Sequence, residues 1–90
     1  MVKKLAKMPY AQACVKVDEY GAITLVSYTT EVITIDPQGW LTCNGLYSMT
    51  TRKHISAFMK EYTNLDYSFA KECYEKNKTL NIYTHAWEAL

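Results

Sequence analysis

Ninety residues, 49% apolar and 21% charged, with a formal net charge of +1, describe a single small domain over residues 1–90 with an ordinary globular core. Such a balance excludes a disordered chain, a uniformly basic nucleic-acid binder and a highly acidic mimic, so any steering field must come from a local patch. No apolar run approaches the ~20 residues of a membrane span, and the 3 cysteines, Cys14, Cys43 and Cys73, are too scattered and odd in number for a disulfide framework. That usage fits a reducing cytosol.

Residues 1–9 carry Lys3, Lys4 and Lys7 around Leu5 and Ala6 and are open to three readings, a helical turn, a strand edge or a frayed end; no apolar core of signal-peptide length follows them. Pro9 restricts Met8 and delays regular structure. From Ala11 to Val17 the chain alternates, with Ala13, Val15 and Val17 on one side, which predicts a half-buried strand. Asp18-Glu19-Tyr20-Gly21 then supplies turn chemistry.

Ala22 to Asp36 is the longest β-like run, rich in Ile, Val, Thr and Tyr. Ile23, Leu25, Ile33 and Ile35 share a face that Ser27, Thr29 and Glu31 interrupt. Either a bend or a tight reversal near Ser27 to Thr30 follows, and the lack of Gly or Pro there favours the bend. Asp36-Pro37-Gln38-Gly39 is a strong turn signal, so Trp40 to Asn44 should pair back as a hairpin strand.

The segment from Leu46 to Tyr62 is the centre of the chain. Thr51, Ile55, Phe58, Met59 and Tyr62 fall on one face of a helical period. Thr51 is the N-cap candidate, and Met49 before it suits a hydrophobic staple onto Ile55. Thr63-Asn64 closes this helix, and Leu65, Phe69, Ala70 and Cys73 form the stripe of a second one. Thr79 to Thr84 reads as a closing strand, and residues 85–90 as a short tail. The expected fold is α+β: a small antiparallel sheet of three or four strands with two helices packed on one face, in the order β-β-β-α-α-β.

The block from Thr24 to Tyr62 resembles a short domain recurrent in small proteins of bacteriophages and prophages. The likeness rests on Ser27, Tyr28, Thr30, Val32, Tyr47, Ser48, Thr50, Thr51, Lys53, His54, Ile55 and Phe58, a strand pattern followed by a helix-entry pattern. It implies a phage or mobile-element origin and a sheet-plus-helix unit, and it implies no activity.

No catalytic residue is expected. The acidic residues form no recognisable dyad, the 3 glycines form no phosphate loop, and the cysteines and histidines lack metal-ligand spacing, so neither metal nor cofactor is called for. Cys43 with His54 is the only nucleophile–base pair within reach of the hairpin-to-helix geometry. His54 itself, one position off the apolar stripe, reads more readily as a half-buried structural histidine. Arg52 and Lys53 stand at a helix start, where unpaired N–H groups favour anions. With His54, Tyr47 and Lys60 they form the candidate binding surface, to which Trp40 would add a stacking ring.

These residues support two functional expectations. The first is a non-enzymatic accessory protein in the host bacterial cytoplasm that binds a host or defence protein, for example as an inhibitor of the anti-CRISPR kind. The second is a small nucleic-acid binder using Arg52, Lys53 and Lys60, with Tyr47 or Trp40 as stacking groups.

Overall fold

The computed structural model describes all residues, Met1–Leu90. Its strands are β1 (Val2–Lys3), β2 (Ala13–Val17), β3 (Ile23–Ser27), β4 (Thr30–Ile35) and β5 (Trp40–Cys43), followed by helices α1 (Met49–Tyr62) and α2 (Tyr67–Glu75), then β6 (Lys78–Asn81) and β7 (Trp87–Ala89). The strands form one seven-stranded sheet in chain order, each pair antiparallel. This corrects the expected sheet of three or four strands in the order β-β-β-α-α-β.

The run from Ala22 to Asp36 accounts for one extra strand, because it reverses tightly instead of bending. Ser27 pairs with Thr30 across Tyr28-Thr29, and Tyr28 adopts φ +56°. Positive φ at the first central position alone is the type II′ hairpin pattern, which usually takes glycine. The Tyr28 N–H donates to the Gln12 carbonyl at 2.6 Å, and its ring lies 5.9 Å from that of His54. Those contacts help hold a conformation that costs a non-glycine residue about 1 kcal/mol. A bulge is present as well: the register shifts between Leu25 and Val26, leaving Val32 as the extra residue of β4.

The other two extra strands are the ends of the chain. β1 pairs with β2 through Val2↔Lys16, and the terminal ammonium donates to the Val17 carbonyl at 2.9 Å. β7 pairs with β6 through Leu80↔Trp87. The return between them is organised by Asn81, whose carboxamide oxygen accepts from the N–H groups of Tyr83 and Thr84. Strands this short carry no sequence period, so only pairing defines them.

At the Asp36–Gly39 turn, the Asp36 carboxylate accepts from the N–H groups of Gln38 and Trp40, and Gly39 takes φ +97°. A Cβ at Gly39 would lie 2.5 Å from the Tyr83 ring, so both conformation and space demand glycine there.

Between β5 and β6 the chain inserts its helical hairpin. α1, about 21 Å long, runs back across the sheet and α2 returns, so β6 starts where β5 ended and pairs beside it. The inward face of the sheet supplies Val15, Leu25, Ile33, Ile35, Leu41 and Leu80; α1 supplies Ile55, Phe58 and Met59, and α2 Ala70 and Cys73. Phe58 is fully buried and stacks on Tyr62 with ring centroids 5.0 Å apart. Leu5 also enters this core, held by a loop whose Ala6 N–H donates to the Glu61 carboxylate at 2.7 Å. The opposite face, with Lys16, Thr24, Thr34, Thr42 and the half-buried Trp40, carries no helix.

Helix boundaries differ in detail from expectation. Ser48, not Thr51, is the N-cap of α1; its hydroxyl accepts from the Thr51 N–H at 3.2 Å. Met49 is 73% exposed, so it is no staple onto Ile55. Asp66 caps α2 by accepting from the Ser68 N–H. No helix is long and apolar enough to cross a membrane.

Candidate functional site

The β3–β4 hairpin, the segment from Asn44 to Ser48 and the first turns of α1 meet at one end of the sheet. Their junction is a buried polar network. Ser27 lies in phase with the inward-facing Leu25, so its hydroxyl points at α1. There it meets His54 Nδ1 at 2.8 Å and Thr51 Oγ1 at 3.0 Å. Thr51 in turn receives a hydrogen bond from the capping Ser48 hydroxyl at 3.2 Å. Ser27 and His54 are each 1% exposed. Burial pushes the His54 pKa below its usual 6.5, which favours the neutral ring at physiological pH.

A serine within hydrogen-bond distance of a histidine is the start of a nucleophile–base pair. Here the hydroxyl is sealed from solvent and shared with Thr51, so the pair fastens α1 to the hairpin. Cys43 does not pair with His54. Its thiol donates to the Gly45 carbonyl at 3.6 Å, and burial raises its pKa. Cys73 is pushed up to about 11, first by burial and then by Cys43 and Glu72 nearby. All three cysteines are free.

The Tyr28 ring lies against this network, 5.9 Å from that of His54, and aromatic and basic side chains are exposed on the segments that form it. Tyr28 and Tyr47 are each 55% exposed, and both hold left-handed backbone, at φ +56° and +52°. The Tyr47 ring folds back over Gly45, where an added Cβ would come within 2.8 Å of it. Arg52 and Lys53 are exposed on the next turn, and no acidic residue sits in the first turn of α1. Lys76–Glu72 is the one ion pair in the protein, so neither cation has a carboxylate partner.

The expected site residues separate into four places. Tyr47, Arg52 and Lys53 stay together at the helix start. His54 is turned inward to Ser27 as a buried strut. Lys60 sits two turns further along α1, beside Thr63 and Asn64, and Trp40 is on the opposite face of the sheet.

Sequence reasoning missed Ser27, Tyr67 and Lys71. Ser27 had a usable signal, since it keeps phase with Leu25 on the inward face. Tyr67 and Lys71 had none, because nothing local places α2 alongside Arg52 and Lys53. There they share a concavity of about 330 Å³ with Met49 and Ser56. No three His, Cys, Asp or Glu side chains gather closely enough to hold a metal ion.

Comparison with curated proteins and with solved structures found no match. A family model described as a family of unknown function (DUF8033) matches residues 3–81, from the end of β1 to the end of β6, and the chain belongs to that family.

Proposed function

We propose that this protein acts without catalysis, by docking a partner protein against the surface around the start of α1. The observation that carries the reading is the pair Tyr28 and Tyr47, exposed rings on left-handed backbone, with Arg52 and Lys53 exposed and unpaired on the first turns of α1. Tyrosine, methionine and arginine are the side chains enriched where proteins meet. Backbone strain kept at an exposed aromatic residue fits a surface whose shape matters to a ligand. The free cations call for an acidic patch on the partner. The likeness to phage domains suggests the setting: a host or defence protein in the bacterial cytoplasm, bound by an inhibitor of the anti-CRISPR kind.

Capture from a host lysate treated with nuclease tests this directly. The wild-type chain is expected to retain one protein, and Tyr28→Ala with Tyr47→Ala to lose it, each substitution weakening binding by about 2 kcal/mol. Arg52→Ala with Lys53→Ala is expected to slow association and to flatten its salt dependence, with a smaller effect on dissociation. Tight binding of a single strand or duplex that persists near physiological salt would sink the reading. In that case each of the two alanine substitutions would lower the log–log salt slope by about one.

A further inference from the structure

Beside the docking surface lies the concavity of about 330 Å³ between α1 and α2, lined by Met49, Arg52, Lys53 and Ser56 on α1 and by Tyr67 and Lys71 on α2. The spacing explains the convergence. Met49, Lys53 and Ser56 follow one another at i, i+4 and i+7, and Tyr67 and Lys71 at i and i+4, so each helix turns one face to the gap. Three cations from two helices therefore surround a space with no carboxylate in its lining, and none of the three is in an ion pair. The start of α1 adds the positive end of its dipole to the same field.

We propose that this concavity binds a mononucleotide, with its phosphate among Arg52, Lys53 and Lys71 and its base on Tyr67. The cations and the Ser56 hydroxyl are donors suited to a phosphate, and arginine can engage it with two parallel bonds. A bare inorganic phosphate would engage the cations and leave the Tyr67 ring without a partner. A carboxylate side chain would satisfy the charge and leave Tyr67 and Met49 without a partner. Tyr67 is half-buried and packs against the core, so its ring is held in place. A flat base against such a ring gains stacking energy whatever its identity. Since Arg52 and Lys53 belong to both surfaces, nucleotide and acidic partner would compete.

NMR titration of the full chain with AMP, adenosine and inorganic phosphate tests the site. The expected result is shifts confined to the six lining residues, with AMP binding about tenfold more tightly than either fragment. Lys71→Ala and Tyr67→Leu should each weaken AMP about tenfold, while Tyr67→Phe, which keeps the ring, should retain it. No shift at millimolar AMP, equal affinity for AMP and phosphate, or shifts centred elsewhere would overturn the proposal. So would a single-stranded oligonucleotide that binds far more tightly than AMP. Tyr28 and Tyr47 lie outside the concavity. Failure of partner docking with AMP binding retained therefore leaves this inference standing, and the reverse outcome leaves the docking reading standing.

Discussion

Phe58→Ala is expected to remove about 3–5 kcal/mol of stability, the usual range for deleting a fully buried phenyl group. Phe58 has no exposed surface, and it packs in one cluster with Leu25, Ile33 and Ile35 of the sheet and Ile55 and Met59 of its own helix. Its ring also carries Tyr62 at 5.0 Å, so truncation would leave that half-buried tyrosine without its stacking partner. A small domain has only about 5–15 kcal/mol in total, so the variant should melt far below the wild type or fail to fold. Urea unfolding followed by far-UV circular dichroism measures the loss. Phe58→Leu, which refills most of the volume, should recover much of it. An alanine variant with an unchanged midpoint would mean that α1 buries a different face.

The second large effect concerns Ser27 and His54. Ser27→Ala leaves His54 Nδ1 without its 2.8 Å partner inside a sealed junction, and a buried polar atom left unsatisfied costs about 1–3 kcal/mol. Acid should act on the same junction. The folded-state pKa of His54 is depressed below 6.5 by burial. Between that depressed value and 6.5, the unfolded chain takes up a proton that the folded chain refuses. Stability is therefore complete above the unfolded-state value and is lost as pH falls from 6.5 through the folded-state value. Below both it levels off, apart from the carboxylates. Melting temperatures across this range should fall for the wild type and stay flatter for His54→Gln, which cannot titrate. A wild-type profile as flat as that of His54→Gln would rule out burial of the neutral ring.

Several features were legible along the chain because they depend on neighbours in sequence. The 3.6-residue period places Ile55, Phe58 and Met59 on the buried face of α1, and period-two alternation places Val15, Leu25, Ile33 and Ile35 on the inward face of the sheet. Asp36-Pro37-Gln38-Gly39 encodes its turn through a capping carboxylate and a glycine that must take positive φ. Thr63 ends the helix, its hydroxyl donating to the Met59 carbonyl at 2.7 Å.

Other features belong to tertiary structure alone. Tyr28 carries no local signal for a type II′ turn; pairing of Ser27 with Thr30 and the contact with His54 impose it. β1 and β7 have 2 and 3 residues, too few for any period, and exist because a neighbouring strand offers unpaired backbone groups. Ser27 interrupts an apolar face in sequence but is completed in space by Thr51 and His54, more than twenty residues away. The basic concavity depends in the same way on α2 folding back beside α1, which sets Lys71 near Arg52 and Lys53. Local periodicity thus determined which faces are buried. Long-range pairing decided how many strands the sheet has and which charged and aromatic side chains meet, because those contacts join segments whose sequences carry no information about each other.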